Sequence, residues 1–428
     1  MNLTSNDQGE IYSYSEDNSK LLIVMVGLPA RGKTFIAKKI SSYLSWVGIR
    51  TKSFNLDAYR RAYAKDMLGK PSATFFDPTN ENGVKQREAF AKVALKDLTK
   101  FFVQRRTSGD FGRSKHNSKA KTNDTKLECR DEKLIEQNIS KVLDSPDYAH
   151  MASQEAVKDF KQRIAYYEKA FEDVKEDEGS FIKLIDAGKY VIGHMIRGYL
   201  PARILYFLMH INLKRKTIFL TRHGESEFDV SGKIGGDSPL TILGKTYAEE
   251  MAEWVSKQPE FGDKDDRMRI WCSAMKPAMQ TADIVKKYDS DLVIYQWKAL
   301  NDLDGGVCEG KTHGDIKKEM PKDYAARVKD KLSYRFPQGE SYKDVIQRLE
   351  PVVFELERST QPILVIAHTA VLRCLYSYFM ESPVQSIPNL DISLHTLYKL
   401  SPGDYKTEVE RFIFDIKVNK TKDDVSSK

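Results

Sequence analysis

The chain has 428 residues, a net charge of +7, 41% hydrophobic residues and 30% charged residues. This length predicts two domains rather than one core, and the balance of residues is typical of a globular protein. No apolar run approaches the roughly 20 residues of a membrane span, the polar N-terminus lacks a signal peptide, and the basic residues form no arm with interleaved aromatics. We therefore expect a cytoplasmic protein without membrane or nucleic-acid partners, whose four cysteines are reduced thiols.

The first half of the chain predicts an α/β domain over residues 20–213, after a flexible N-terminus at 1–19. The apolar run Leu21–Val26 predicts a strand, and helical periodicity over 35–46 predicts the helix that follows it. Beyond them we predict strands at 51–56 and 182–185, an apolar segment at 191–206, and helices at 84–102, 133–143 and 156–174.

One segment breaks that pattern. Residues 103–126 hold seven lysines and arginines among serine, threonine, asparagine and glycine, with no apolar run long enough for a buried strand. This composition predicts a disordered basic insertion.

A second α/β domain is predicted over residues 214–416, followed by a flexible tail at 417–428. Its first strand, at 217–221, comes directly after three consecutive basic residues. Strands are then predicted at 269–272 and 363–367, and helices at 244–258, 277–288, 342–358 and 370–379. Alternation of this kind predicts a mostly parallel sheet covered by helices on both faces.

The first predicted strand and helix enclose a phosphate-binding loop. The pattern G-x-x-x-x-G-K-[ST] is matched at every specified position, and such a loop holds nucleotide phosphates through backbone N–H groups. Lys33 would add positive charge at the β and γ phosphates of ATP, and Thr34 would ligate Mg²⁺. The predicted nucleotide-binding residues are Gly27, Leu28, Pro29, Ala30, Arg31, Gly32, Lys33 and Thr34.

Phosphoryl transfer from ATP also needs a carboxylate at the end of a neighbouring strand to hold Mg²⁺. No apolar strand ending in aspartate occurs between Phe102 and Cys129, and the tripeptide Asp110-Phe111-Gly112 lacks the other motifs of protein kinases. The sequence therefore predicts nucleotide binding and leaves turnover open.

Two histidines are predicted to meet at the carboxyl edge of the second sheet. His223 follows the strand at 217–221 beside Arg222, and His368 follows the strand at 363–367. His223 would act as nucleophile in a phosphoryl transfer, with Arg222 and protonated His368 neutralising the phosphoryl oxygens. The constellation predicts a histidine phosphatase.

The order of these motifs, together with further segments, resembles the bifunctional 6-phosphofructo-2-kinase/fructose-2,6-bisphosphatase family. The matching segments include VGLPARGKT, SPDY, RHGESEF, GKIGGDS, FPQGESY and QRLEPV. The resemblance implies an α/β fold with an N-terminal P-loop NTPase-like parallel sheet and a C-terminal histidine-phosphatase domain similar to phosphoglycerate mutase. It implies that the first domain transfers a phosphoryl group from ATP to O2 of fructose 6-phosphate. The second would remove it from fructose 2,6-bisphosphate through a phosphohistidine.

Site residues also follow from the resemblance. ATP and Mg²⁺ would serve the kinase-like domain, with Thr34 on the metal, and the phosphatase domain would need no cofactor; a homodimer stays open as the assembly. Asp302 stands where the family has a glutamate that acts as acid and base, and it joins Arg222, His223 and His368 as a catalytic residue. The substrate-binding residues implied are Arg60, Arg87, Arg163, Tyr167, Arg327, Lys331 and Arg373.

The chain departs from the family pattern in both domains. The family's strand ending in D-A-T-N-x-x-R has no counterpart, because the basic segment 103–126 lies in its place. Pro277 replaces a phosphate-binding arginine, Asp229 an asparagine and His313 a tyrosine. Losing one charge-assisted phosphate contact costs about 1.5–3 kcal/mol, or roughly one to two powers of ten in rate or affinity.

Three functions stay open on the sequence. The first, which we favour, is a fructose-2,6-bisphosphatase whose kinase domain binds ATP but is impaired. The second is a non-catalytic, metabolite-binding pseudoenzyme with a regulatory or partner-binding role. The third is a fully bifunctional kinase and phosphatase, in which 103–126 supplies a substitute strand or reflects a faulty gene model.

Overall fold

The computed structural model describes residues 20–64, 72–103, 121–129, 131–143, 147–148, 151–175, 177, 179–212, 216–262, 267–403 and 407–416. By its contacts the chain divides into two units. The first takes residues up to 33 and residues 54–205, and the second takes residues 34–53 and the chain from 206 onward. This division differs from the predicted boundary at 213/214, because the helix after the phosphate loop packs within the second unit from Thr34 onward. None of the described helices has the length and apolar character needed to cross a membrane.

The first half of the chain forms a sheet of four strands, β1 (Leu21–Val26), β2 (Lys121–Glu128), β3 (Phe181–Ile185) and β4 (Tyr190–His194). Their order is β1-β2-β3-β4, with β1 to β3 parallel and β4 antiparallel to β3. The four predicted helices correspond to α1 (Lys33–Trp46), α3 (Glu81–Val103), α4 (Glu132–Leu143) and α5 (Ser153–Ala170). Two further helices, α2 (Leu56–Ala64) and α6 (Tyr199–Met209), were not predicted as helices.

β2 corrects the prediction of disorder for the end of the segment 103–126. It pairs with β1 on one edge and with β3 on the other. The prediction assumed that a buried strand needs an apolar run. In this strand the backbone groups are paired on both edges, and the charge of the buried Lys126 is neutralised by Glu128 and Asp173. Val103 ends α3, and residues 104–120 lie outside the described residues.

The predicted strand at 51–56 is wrong. Residues 51–55 belong to no helix or strand, and α2 begins at Leu56. β1 is an edge strand of the described sheet, and no described strand pairs with its outer edge.

The second unit contains a sheet of six strands in a mostly parallel arrangement, as predicted. Its strands are β5 (Ile218–Arg222), β6 (Arg269–Ser273), β7 (Ile294–Trp297), β8 (Ile363–Ala367), β9 (Thr396–Pro402) and β10 (Thr407–Ile413). Their order is β10-β9-β5-β8-β6-β7. Among them only β9 runs in the opposite direction, antiparallel to both β5 and β10.

Helices alternate with these strands. They are α7 (Glu227–Ser231), α8 (Ile242–Ser256), α9 (Lys276–Lys286), α10 (His313–Glu319), α11 (Pro321–Lys329), α12 (Tyr342–Arg358) and α13 (Thr369–Phe379). All five residues of β8 are buried, and Leu364 and Ile366 join Phe219 and Met251 in the main core. The apolar centre of the sheet therefore fixes where β5 and β8 end.

The middle of α1 is part of the same unit. Tyr43 is buried and stacks on Phe207, with ring centroids 4.3 Å apart. Nearby, Glu357 accepts hydrogen bonds from Lys39 Nζ at 2.6 Å and Lys216 Nζ at 2.9 Å. Burial alone would raise the pKa of Glu357, but the two ammonium groups lower it. The buried carboxylate is therefore ionised and paired.

Candidate active sites

Two histidines lie together where β5 and β8 end. Arg222 pairs with Ala367 across these parallel strands, so the next residues, His223 and His368, leave the sheet at the same edge. The backbone N–H of His223 donates to Ala367 O at 3.1 Å, and the centroids of the two imidazole rings are 4.8 Å apart. Both side chains are buried and line one pocket.

The surroundings of His223 favour a neutral imidazole. Its Nδ1 lies 2.7 Å from Gly224 O, a contact in which Nδ1–H donates and Nε2 keeps its lone pair. Burial lowers the pKa of His223. Glycine is required at position 224, because a Cβ there would lie 2.1 Å from Gly244 O.

The surroundings of His368 bear on its protonation. Its Nε2 lies 2.8 Å from the Ser273 hydroxyl at the end of β6. Burial, together with His223, Arg222 and Arg348, lowers the pKa of His368 well below its usual value. These surroundings favour a neutral His368, and its protonation during phosphoryl transfer stays a prediction.

Asp302 lines the same pocket and is suited to hold a proton. Burial raises the pKa of Asp302 to about 6. Its backbone is fixed by Arg348, whose Nη2 donates to Asp302 O at 2.9 Å and to Asn301 O at 2.8 Å. The Leu303 N–H donates to Asp302 Oδ1 at 2.8 Å. A carboxyl group with this pKa donates and accepts protons near neutral pH.

Basic side chains line another part of the pocket. Arg327 and Lys331 are there as predicted, together with His313. Arg373 does not line the pocket, but its Nη1 donates to the hydroxyl of Tyr342, which does, at 3.1 Å. The pocket also takes in Ser226, Phe228, Asp229, Lys233, Ile234, Gly235, Gly236, Pro277, Leu303, Tyr334, Phe336, Thr369 and Ala370.

The sequence analysis missed Ser273 and Arg348. Ser273 stands one residue beyond the predicted strand at 269–272, so the rule that placed the histidines at strand ends applies to it as well. Arg348 lies within QRLEPV, and its spacing gives no signal that it reaches the loop around Asp302.

The phosphate-binding loop of the first unit has the expected backbone. Gly27, Ala30 and Gly32 adopt positive φ angles of 144°, 57° and 83°. A Cβ at Gly27 would lie 2.4 Å from Leu127 O, so β2 passes close to the loop. Lys33 Nζ donates to Gly27 O at 2.6 Å, and burial lowers the pKa of Lys33 to about 8. Thr34 follows as an exposed residue of α1.

Three of the four predicted sugar-phosphate residues of this unit gather around Phe76. The guanidinium of Arg163 stacks 3.8 Å from the Phe76 ring centroid, and Arg60 and Tyr167 approach the same ring at 5.6 Å. Asp57 accepts from Arg163 Nη2 at 3.2 Å and from Arg60 Nε at 3.4 Å.

The fourth residue, Arg87, is held by the neighbouring Phe75. It donates to the Phe75 carbonyl and lies 5.8 Å from its ring centroid. Phe75 and Phe76 are in contact, so Arg87 adjoins the cluster through this pair of rings.

Two carboxylates near the phosphate loop are paired with basic side chains. Glu128, at the end of β2, pairs with Lys183 at 2.6 Å and Lys126 at 3.5 Å. Asp57 is paired with two arginines. The described residues contain no group of three or more His, Cys, Asp or Glu side chains placed to hold a metal ion.

Comparisons with known proteins match both halves of the chain. The family model described as 6-phosphofructo-2-kinase matches residues 8–112 and 117–215, and that of the histidine phosphatase superfamily (branch 1) matches residues 218–415. The chain is 41% identical over 420 residues to a 6-phosphofructo-2-kinase/fructose-2,6-bisphosphatase of Caenorhabditis elegans, which covers 92% of this chain and 89% of that protein.

Further relatives extend the comparison. The chain is 40% identical over 420 residues to 6-phosphofructo-2-kinase/fructose-2,6-bisphosphatase 4 of Homo sapiens, covering 93% of this chain and 86% of that protein. A putative alpha-ribazole-5'-P phosphatase from Escherichia coli is 22% identical with a TM-score of 0.42 over 47% of this chain and 97% of its own. The family models and the relatives together show that this chain belongs to the bifunctional 6-phosphofructo-2-kinase/fructose-2,6-bisphosphatase family and is an enzyme with a kinase and a phosphatase domain.

Proposed function

We propose that the second unit hydrolyses the 2-phosphate of fructose 2,6-bisphosphate through a phosphohistidine on His223. The observation that carries this proposal is the buried, neutral His223, whose Nδ1 is engaged by Gly224 and whose neighbours at the strand ends are Arg222 and His368. A neutral imidazole with a free Nε2 lone pair is a nucleophile for phosphorus. The basic side of the pocket is suited to the second phosphate of the substrate.

The reaction would proceed in two balanced steps. In the first, His223 Nε2 bonds to phosphorus while the bond from phosphorus to O2 of the sugar breaks, and protonated Asp302 gives its proton to that oxygen. In the second, the Asp302 carboxylate takes a proton from water, the water oxygen bonds to phosphorus, and the phosphorus–nitrogen bond breaks. Arg222 lowers the energy of the negative charge on the phosphoryl oxygens in both steps.

Labelling tests the assignment of the nucleophile. Incubation with fructose 2,6-bisphosphate labelled at the 2-phosphate should leave acid-labile label on the protein and none on His223→Ala. His210→Ala changes a histidine that directly follows α6 and lies outside the residues that line the pocket; it is the matched control and should keep the label. Label on His223→Ala at the level of the unmodified protein would place the nucleophile elsewhere.

We infer that the first unit binds ATP and transfers its γ-phosphoryl group to fructose 6-phosphate slowly. The loop backbone and Lys33 support binding, because they hold polyphosphate through N–H groups and a positive charge. Transfer also needs a carboxylate for Mg²⁺, while Glu128 and Asp57 are engaged by lysines and arginines. We expect turnover at least about two powers of ten below the ordinary kinase range of 1–100 per second.

Calorimetry tests the binding of ATP, and a kinase assay tests the rate of phosphoryl transfer. ATP should bind the unmodified protein and Lys92→Ala, an exposed lysine of α3, but not Lys33→Ala. Failure of the unmodified protein to bind ATP would contradict the proposal for the loop. Absence of both label and turnover would favour the pseudoenzyme.

A fully bifunctional enzyme is the second candidate, and β2 is the observation that favours it. This strand occupies a central place beside the phosphate loop and ends in a carboxylate, Glu128. If Glu128 exchanges its lysines for Mg²⁺, 6-phosphofructo-2-kinase turnover should reach the ordinary range and should fall at least about tenfold in Glu128→Gln. Slow turnover that Glu128→Gln leaves unchanged would reject this candidate.

A further inference from the structure

Asp229 places a negative charge in the part of the phosphatase pocket that would meet the reacting phosphoryl group. Its Oδ1 accepts a hydrogen bond from Arg222 Nη2 at 2.8 Å, and its Oδ2 lies 4.0 Å from His223 Nδ1. Burial alone would raise the pKa of Asp229, but Arg222, His223 and the hydrogen bonds from Ser226 lower it. Asp229 is therefore ionised at neutral pH and can only accept hydrogen bonds.

Arg222 is partly occupied as a result. Its Nη2 is engaged by Asp229, while its buried Nε has no hydrogen-bond partner within the described part of the chain. An arginine without such a neighbour binds phosphate through two parallel N–H···O bonds. An arriving phosphoryl group instead meets an Arg222 whose Nη2 is already engaged and which has a carboxylate beside it.

The protonation state of the anion then decides its affinity. A fully deprotonated oxyanion brings only acceptors and negative charge toward Asp229, which repels it. An oxyanion that keeps a proton can donate it to Asp229 and accept from the Arg222 guanidinium at the same time.

We propose that Asp229 makes this end of the pocket selective for a protonated phosphate group over fully deprotonated oxyanions. The selectivity deepens the proposed phosphatase function, and its catalytic meaning rests on that function. Asp229 is thus a specificity-determining residue, because it sets which ionic form of the phosphate monoester binds beside His223.

Asp344 provides a matched control. It caps α12 together with Ser341, as Asp229 caps α7 together with Ser226, each at the third position of its helix. Asp344 also pairs with an arginine, accepting from Arg335 Nε at 2.9 Å. This pair lies outside the residues that line the pocket, and Arg335 is exposed. Asp344→Asn therefore removes a capping carboxylate without changing the charge of the pocket.

Other titratable groups share the electrostatic field of this end. His223, His368, Asp302 and His395 are all influenced by the charge of Arg222. Asp229 raises the pKa of His223 and of His395, so Asp229→Asn favours the neutral form of both histidines. Loss of positive charge would weaken sulfate binding, so a gain in sulfate affinity reports the removal of the carboxylate at position 229.

Calorimetric titration of the full chain with inorganic phosphate and with sulfate at pH 6 tests the proposal. Sulfate has the shape of phosphate but carries no proton at this pH. We expect the unmodified protein and Asp344→Asn to bind phosphate at least about tenfold more tightly than sulfate, the lower end of the effect of one charge-assisted hydrogen bond. Asp229→Asn should bind sulfate at least about tenfold more tightly than the unmodified protein and should bind the two anions alike.

Three results would overturn the proposal. They are an unchanged sulfate affinity in Asp229→Asn, no detectable sulfate binding by that variant, and the same gain in Asp344→Asn. The phosphatase function fails on a different result, the absence of label on His223, so the two failures are distinguishable. Anion selectivity without label would leave a selective binding pocket that is not a catalyst.

Discussion

β2 and β8 each lie inside a sheet beside a functional loop, yet they are built from opposite kinds of residue. β8 consists of five buried apolar residues, whereas β2 has the sequence KTNDTKLE and buries Lys126 between two carboxylates. Burial of apolar surface stabilises a strand through an interaction that is not directional and does not depend on one partner residue. A buried charge stabilises only while its partners are present. The position of the phosphatase edge therefore depends on apolar burial, and that of the kinase edge depends on a few ion pairs.

The largest expected effect concerns the edge formed by β5 and β8. His223→Ala should lower hydrolysis of fructose 2,6-bisphosphate by about four powers of ten or more, because no other group replaces a covalent nucleophile. His194→Ala, at the end of β4 in the other sheet, is the control and should keep the rate. Turnover with labelled substrate measures both. A loss below tenfold in His223→Ala would remove the phosphohistidine from the mechanism.

The difference between the two strands predicts that mutations in them lower the free energy of unfolding by different amounts. Leu364→Ala in β8 should reduce the local free energy of unfolding by about 2–5 kcal/mol, because Leu364 is fully buried in the main core. Glu128→Gln in β2 should cost no more than about 1 kcal/mol, because the Glu128 side chain is partly exposed and Lys126 keeps Asp173.

Hydrogen exchange of the amides in β8 and β2 reports on each sheet separately. Added salt should weaken protection in β2 and leave β8 unaffected. Equal costs in the two variants, or salt sensitivity in β8, would break the contrast between apolar and charged strands.

A smaller gain is expected from restoring charge in the pocket. Pro277 lines the pocket at the start of α9 and carries no donor, so Pro277→Arg adds a guanidinium next to the reacting phosphoryl group. We expect phosphatase turnover to rise by roughly one to two powers of ten. Steady-state kinetics compares this variant with Pro277→Ala, which also removes proline but adds no charge. A rise in both variants would point to the backbone, and a rise in neither to a rebuilt pocket.

The smallest effect is a dependence on pH. Because burial raises the pKa of Asp302 to about 6, its proton is present below that pH and is lost as the pH rises. If Asp302 protonates the leaving oxygen, kcat should fall about tenfold per pH unit above this value. A pH profile of kcat checks the slope, and Asp302→Asn should be slower and flat. A constant kcat up to pH 8 in the unmodified protein would assign the acid role to another group.

The sequence was most informative where consecutive apolar residues are buried. The predicted bounds of β8 and α12 agree with the structure residue for residue, because a run of five apolar residues and a helical repeat are local signals. The meeting of His223 and His368 followed from that, since residues after neighbouring parallel strands share an edge.

Charge pairing between distant residues leaves no such signal. Lys126 and Glu128 are stabilised in β2 by Asp173 and Lys183, which stand far along the chain and follow no period. The lowered pKa of His368 leaves no such signal either, because it depends on how deeply the fold buries the imidazole. Thr34 was predicted as a metal ligand, and that role stays a prediction.

The helix that begins in the phosphate loop also decides how the gene can be divided. A break between codons 213 and 214 would separate Lys39 and Tyr43 of α1 from Glu357 and Phe354. The C-terminal product would then carry a bare aromatic surface and a carboxylate that has lost one of its two cations. Division of the chain at that boundary is therefore expected to destabilise the second unit, although its sequence from 214 onward would be intact.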